Sequence, residues 1–450
     1  MQHFQPSNAQ ALKLMMEGSK ALADVEQHGM RIDVDYLDSA IAKATTKIRE
    51  LEGAIKEDEV WQTWRKVYGS KANLGSNAQL AQVIFGELGV ECKVRTKTGR
   101  PKTDAEALEG VDFPFVRKLV NLEKLKKARS TYLVGLRSEV VDGFVHPFFH
   151  LHLATTFRSS SSNPNLQNQP IRDKRQAKLI RQAFVPRSAD HVLVEIDYSA
   201  LEFKGAANFW LDPGMVAYAS DPSLDIHRDM GAECYRLATD QVSKNVRSYA
   251  KNQFVFPTLY GSYYKNTGIG LWASIAKAGL TTADGVPLQQ HLEQKSIFTE
   301  EDFIAHIRGV EQRFNERFPA WSEKKEKWWQ QYLENGWFPL STGFVCAGVF
   351  SYNNLMNTPI QGPSFHCLLW SLIELNKWLK QCKMRSRIIC QIHDSILADV
   401  HRSELADYLV VAKRIMTEDI RKHWDWIVTP LWVEAEVAES NWFEKKVVAI

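Results

Sequence analysis

The sequence predicts an α+β fold in which long helices surround a small antiparallel sheet, and three stretches carry that prediction. Residues 11–30 and 36–55 repeat apolar side chains at three- and four-residue spacing, as amphipathic helices do. Residues 192–196, VLVEI, form an apolar, largely β-branched run that closes on Asp197 and reads as a buried strand leading through a turn into a helix. Residues 388–392 and 396–400 flank His393-Asp394-Ser395 and read as two short strands around a tight turn.

At 450 residues the chain is long enough for two or three domains and a sizeable core. Hydrophobic residues make up 44% and charged residues 24%, an ordinary globular balance. The net charge of +3 is the difference of 56 basic and 53 acidic residues, so any polyanion-binding surface must come from local clusters. Six scattered cysteines without a CxxC pair argue for a reducing compartment and against a structural zinc or disulfide framework. Neither a signal pattern nor a long apolar run is present, so a cytoplasmic, membrane-free location is expected.

In chain order, the helical first 135 or so residues are interrupted by KVRTKTGRPK, a basic loop carrying Lys93, Arg95, Lys97, Arg100 and Lys102. A second basic cluster, Lys124, Lys126, Lys127 and Arg129, lies near a predicted helix end, and the two together are candidates for a phosphate backbone. Residues 145–170 are rich in Ser, Asn and Pro and read as loop, with Arg158 set into them. Residues 206–335 return to helices, with loops near 261–264 and 281–287.

The chemistry begins with the two strand-borne aspartates. A lone Asp at a strand end is commonly a helix cap, but a buried carboxylate is costly without a cation. If both strands share a sheet, Asp197 and Asp394 can bind two magnesium ions about 4 Å apart, an arrangement suited to in-line phosphoryl displacement. Between them, in VRSYAKNQFVFPTLYGS, Arg247 and Lys251 are spaced to share one helix face and suit a polyphosphate. Phe256 and Tyr260 repeat that spacing with aromatic rings for a base, although an ordinary amphipathic helix has the same pattern.

Taken in order, these motifs resemble the family A DNA polymerases, the bacterial DNA polymerase I type. DYSALE, the R-x-x-x-K helix ending in YG, and QIHDS match that family's three central motifs. SSSSNPNLQN, DIH at 225–227, NTPIQG, PLWVEAEVAESNW and the series SNAQL, TKTG and STY extend the likeness over nearly the whole chain from Ala21. The resemblance implies a right-hand polymerase fold with an antiparallel-sheet palm, helical fingers and a long-helix thumb. It divides the chain into a leader at 1–20, thumb at 21–140, palm at 141–205, fingers at 206–364 and the rest of the palm at 365–450. The implied activity is template-directed DNA synthesis, and the implied partners are primer-template DNA and deoxynucleoside triphosphates, bound by a monomer in a bacterial or phage-infected host.

Residue by residue, the resemblance implies that Asp197 and Asp394 hold two Mg2+ ions (or Mn2+), with the Tyr198 carbonyl as a further ligand. Arg247, Lys251 and His227 would contact the triphosphate, with Ser199 nearby; Phe256 would pack on the incoming nucleotide and Tyr260 would stand near the templating base. Glu202 would exclude a 2′-hydroxyl. His393 would approach the primer terminus, Arg158 and Gln361 the minor groove, and Asn168 and Lys127 the primer-template. The chain departs from the family at Ser395, usually glutamate; at Lys204, usually arginine; at Ala200, often glutamine; and at Phe157, usually glycine. A single-subunit RNA polymerase shares the palm chemistry, and Glu202 argues against it. A DNA-binding relic without chemistry is the non-enzymatic alternative, which Ser395 keeps open.

Two further expectations follow. The segment from Lys251 to Tyr260 is one residue longer than a regular i, i+4 register allows. Phe256 would stand about 140° from Lys251 on a straight helix, since each residue turns roughly 100°. A π-bulge between Asn252 and Pro257 would bring both to one face, because proline has no N–H for the Gln253 carbonyl. The few residues ahead of Ala21 cannot hold the 3′–5′ exonuclease domain usual in the family, so no proofreading is expected from this chain, and a separate exonuclease or other replication protein is a candidate partner.

Overall fold

The computed structural model describes residues 3–6 and 8–450, apart from 93, 94, 97, 105, 106, 109, 110, 112 and 172. Lys93 and Lys97 of the basic loop therefore lie outside the described residues.

Five strands, labelled in chain order, form the principal sheet: β1 (His191–Tyr198), β2 (Arg387–Ile392), β3 (Ser395–His401), β4 (Val433–Ala438) and β5 (Lys446–Val448). Their spatial order is β5-β4-β1-β3-β2, antiparallel throughout, so β1 is central although its neighbours come from the last quarter of the chain. Successive side chains of a strand point to opposite faces. Val192, Val194, Ile196 and Tyr198 enter the main core together with Leu368 and Leu372 of the long helix Tyr352–Gln381. Leu193 points the other way, into a second cluster with Phe184 and Trp442. Glu195 and Asp197 continue that second row, which carries Asp197 to the open end of the sheet. The expected hairpin around His393-Asp394 is present as β2 and β3.

Helix Val34–Lys56 packs on helix Pro114–Lys127, which continues through Ser138, within the span expected for the thumb. A separate apolar cluster around Trp64, Leu80, Ile84 and Phe115 steadies its tip. Helices Ile226–Tyr235, Lys244–Ala250, Phe256–Leu259, Tyr264–Ala278 and Glu300–Arg317 lie within the span expected for the fingers. Among the described residues no helix is long and apolar enough to cross a membrane.

The structure corrects three of the expected boundaries. Within the span expected as a leader the described residues join the fold: His3–Pro6 pairs with strand Phe344–Ala347, and helix Ala9–His28 begins at an Asn8 cap whose Oδ1 accepts from Ala11 N at 2.8 Å. That helix buries Ala11, Leu14, Leu22 and Val25 against the long helix Tyr352–Gln381 and β2, so residues 21–28, expected at the start of the thumb, pack with the sheet. The fingers–palm boundary at 364/365 falls inside that same long helix, which runs unbroken through Pro359 and Pro363.

Candidate active site

Sheet register brings the two aspartates together. Asp197 stands opposite Ser395 on one side and Glu434 on the other, and the Tyr198 N–H donates to the Asp394 carbonyl at 3.2 Å. The chain then turns at Ala200, in the left-handed region with φ 53°, and enters helix Leu201–Trp210 with Glu202 in its first turn. The His393 turn, with φ 49°, is held by Gln391, whose Nε2 donates to the His393 carbonyl at 2.8 Å. Gln391 Oε1 accepts from Ser159 Oγ at 2.5 Å and Gln167 Nε2 at 2.7 Å, which fastens the Ser/Asn-rich loop to the hairpin.

This end of the sheet holds more negative charge than it neutralises. The Asp197 carboxyl, accessible at the open end of the sheet, is pushed up to about 7 by desolvation between the cleft walls, by Asp394 and by Glu195. Burial also raises Asp394, against the pull of Arg158 and Lys251, and its Oδ1 is buried with no hydrogen-bond partner. Burial and Asp394 raise Glu202. Arg158 partly offsets two of the three, with Nη2 at 2.9 Å from Glu202 and 3.8 Å from Asp394. An orphaned carboxylate oxygen in such a surplus fits a hard divalent cation. Among the described residues no group of three or more His, Cys, Asp or Glu side chains could hold a metal, so a cation here would meet few protein ligands.

Across the cleft the helix that begins at Lys244 carries the expected irregularity. Regular helix from Lys244 to Ala250 gives way to a π-turn over Lys251–Val255, closed by the Phe256 N–H donating to the Lys251 carbonyl, and α-helix resumes at Phe256. Lys251 and Phe256 thereby share a face, with Lys251 Nζ 5.1 Å from the Phe256 ring centre. Phe256 stacks on Tyr260 at 6.0 Å, and the His227 ring meets Phe256 edge-on at 5.5 Å. Burial, Lys251 and Arg247 push His227 down to about 3, so its imidazole is neutral, and neither ring nitrogen has a partner. Arg247 Nε bonds Asp225 Oδ2 at 2.6 Å, while Asp225 Oδ1 caps the helix of His227. The Tyr260 hydroxyl is buried beside Glu202 and Gln361 without completing a hydrogen bond. A cavity of about 820 Å³ opens between the two sides, lined by Asp197, Ser199, Asp225, Arg247 and Lys251.

Of the residues expected from the sequence, Asn168 and Lys127 are exposed away from this cavity, on the loop before Lys174 and at the end of a thumb helix. The second basic cluster is mostly engaged internally: Lys124 with Asp173, Lys126 with Glu52 and Glu123, and Arg129 with Thr45. Three departures gain a physical reason. Lys204 is buried, donates to the Ala219 and Pro430 carbonyls at 2.8 and 2.7 Å, and lies 3.3 Å above the Trp432 ring, so it ties the cavity wall together. Phe157 keeps a left-handed φ of 58°, and its ring packs on Phe344 at 4.7 Å and His366 at 5.9 Å; this packing offsets a backbone strain of about 1–3 kcal/mol. Ser395 hydrogen-bonds Glu195 at 3.1 Å. Nothing in the structure explains Ala200.

Sequence reasoning missed Asp225, Glu195, Gln391 and Glu434 as parts of this neighbourhood. Asp225 was within reach, because an Asp two residues before His227 at a helix start is a cap pattern. The others depend on strand register.

An antiparallel sheet whose carboxylates face a cationic helix across a cleft is the palm and fingers of a right-hand polymerase. The sequence model of DNA polymerase family A matches residues 39–278 and 350–444, and the chain belongs to that family. DNA polymerase I of Geobacillus stearothermophilus is 27% identical over 92% of this chain and 45% of its own length. The DNA polymerase of Bacillus phage SP01 is 26% identical over 90% of this chain and 47% of its own. The chain thus spans about half the length of the curated relatives it matches. The POL domain of Pol1 from M. smegmatis, solved in complex with DNA primer-template and dNTP, superposes with a TM-score of 0.74 at 24% identity, covering 95% of this chain and 70% of that one.

Proposed function

We propose that this chain is a template-directed DNA polymerase that joins deoxynucleotides to a primer 3′ end and releases pyrophosphate. The observation that carries the reading is the meeting of Asp197 and Asp394 at one sheet end, opposite a bulged helix that turns Lys251 and Phe256 to the same side. Asp197 and Asp394 would hold two Mg2+ ions, for which Mn2+ can substitute, with the Tyr198 carbonyl as an added ligand. When bound, these ions supply activation of the primer 3′-oxygen and charge neutralisation on the leaving phosphates.

The remaining work falls to the protein. Arg247 offers a planar fork and Lys251 a point charge to the triphosphate, both from one helix. Neutral His227 offers one N–H without adding charge. Phe256 and Tyr260 present stacked rings to the nascent base pair, where stacking is worth about 1–3 kcal/mol per base. Glu202 and Tyr260, buried together, close the space beneath the sugar, so a ribose 2′-hydroxyl meets a carboxylate and a ring. Arg158 and Gln361 reach the minor groove, where acceptors are shared by all correct pairs; His393 approaches the primer end, and Asn168 and Lys127 contact the duplex.

Primer extension with Mg2+ by the parent and by Asp197→Asn tests the proposal. Template-dependent extension by the parent and its loss in the variant are expected; no extension by the pure parent, or equal extension by both, overturns it. Glu202→Ala should increase ribonucleotide incorporation, and no increase would remove Glu202 from sugar selection.

A further inference from the structure

The structure assigns Glu195 as a positioning residue for the Asp197–Asp394 pair: its charge offsets a buried lysine beneath the pair and so sustains divalent-cation binding there. The inference rests on the cation-binding reading above and deepens it.

Leu193, Glu195 and Asp197 lie on one face of β1, with Glu195 two positions behind Asp197, about 7 Å along the strand. The Glu195 side chain is only 12% exposed, and both of its oxygens are engaged. Oε2 accepts from Trp442 Nε1 at 2.9 Å and from Lys445 Nζ at 2.7 Å, while Oε1 meets the Ser395 hydroxyl at 3.1 Å. Ser395 stands directly opposite Asp197 on β3, so the side chain that answers Glu195 belongs to the strand position facing Asp197. On the other side Glu436 of β4 stands directly opposite Glu195, and Lys445 bridges the two carboxylates, at 2.5 Å from Glu436. The Arg181 guanidinium covers the far face of this group, 3.9 Å from the Trp442 ring centre.

A charge buried in a sheet needs a reason, because an ion pair in such a place is often no better for stability than apolar packing. Two consequences distinguish this one. The network joins β1 to β3, to β4 and to the turn Trp442–Glu444, which fixes the strand end from which Asp197 projects. It also sets a carboxylate between Lys445 and the aspartates. Glu195 is not placed to be a ligand itself, since no third carboxylate joins the pair in a metal-holding group among the described residues. It acts through Asp197. Removing it would leave the Lys445 ammonium, 15% exposed, paired with Glu436 but without the carboxylate on the Asp197 side, so more of its positive charge would reach the cation site.

Binding of Mn2+ alone, without DNA or nucleotide and followed by the electron paramagnetic resonance of the free ion, tests the inference. Glu195→Gln should weaken Mn2+ binding about tenfold, the size expected for one charge acting at this distance through a partly wet site, and should raise the Mg2+ concentration needed for half-maximal extension in proportion. Adding Lys445→Met to Glu195→Gln should restore Mn2+ affinity to within about twofold, and Ser395→Glu in the Glu195→Gln background should restore part of it. If Glu195→Gln only lowers thermal stability and leaves Mn2+ affinity unchanged, or if removing Lys445 restores nothing, the inference is overturned. Asp197→Asn in the same titration separates the two levels. Mn2+ binding unchanged in Asp197→Asn would refute the cation site itself, whereas binding lost there but unaffected by Glu195→Gln would refute only the role of Glu195.

Discussion

Strands β1 and β3 run side by side from one end of the palm sheet to the other, and the two ends treat acidic groups in opposite ways. At the end that faces the cleft, Asp197 is pushed up to about 7 by desolvation, Asp394 and Glu195, and an Asp394 oxygen has no hydrogen bond, only Arg158 at 3.8 Å. At the other end, just past His401, burial would raise Glu404, but hydrogen bonds outweigh it and hold the carboxyl at about 2. Glu404 collects Arg385 N at 3.0 Å, Ser386 N at 2.9 Å and Ser386 Oγ at 2.5 Å. Asp399 lies between the extremes: burial lifts it to about 6, although it accepts from Arg187 N at 2.8 Å. One ladder therefore holds a finished polar junction at one end and unmet charge at the other. The finished end contributes stability, and the unmet end is where the proposed cation and triphosphate would bind.

The sharpest test of this contrast is Asp394→Asn. It should lower primer extension by about a thousandfold or more, because the site loses one of two strong ligands. It should also raise the denaturation midpoint, because a buried, repelled carboxylate becomes neutral. A variant that lost both activity and stability would show that the cleft end is not in surplus. Next in size, Lys251→Gln removes the cation that faces both Asp197 and Asp394. A loss of about a hundredfold in kcat/KM is expected, carried mainly by kcat if the charge acts on the transferring phosphate.

A smaller effect tests the bulge. Phe256→Ala should raise the KM for nucleotide about tenfold, the worth of one stacked ring, with little change in stability. An unchanged KM would mean that Phe256 does not face the nucleotide.

The smallest effect belongs to the finished end. Glu404→Gln should leave extension unchanged and lower unfolding free energy by about 1 kcal/mol at neutral pH, as the charged acceptor of three donors is lost. The pH dependence has a definite sign. A carboxylate held at about 2 when folded contributes its stability above the unfolded value of about 4.3 and loses it as pH falls from there toward 2. The stability gap between parent and variant should therefore narrow over that window. A gap that stays constant down to pH 2 would mean that Glu404 acts by shape and not by charge.

Much of this site was legible in the sequence because its parts obey local rules. Asp197 follows a β-branched run, the hairpin around Asp394 carries its own turn, and the extra residue between Lys251 and Tyr260 can be counted. The π-turn over Lys251–Val255 is the clearest case, since helical periodicity is a property of the chain and Pro257 marks where a hydrogen bond can be given up. The domain edges were less legible. Residues 3–6 read as leader because a short edge strand has no pattern until its partner at 344–347, distant in sequence, is beside it.

The sequence by itself determined the candidate residues Asp197, Asp394, Lys251 and Phe256 and the helix irregularity that turns the last two to one side, because spacing along one chain fixes which residues share a face. Only the tertiary structure decided what surrounds them. The pairing of Ser395 with Asp197, the Lys445 bridge between Glu195 and Glu436, the Phe344 ring that steadies Phe157, and the capture of Lys124 and Lys126 by acidic partners all depend on register and packing between distant segments. A side chain's charge is written in the sequence, but whether that charge is neutralised depends on neighbours that folding brings within about 3 Å.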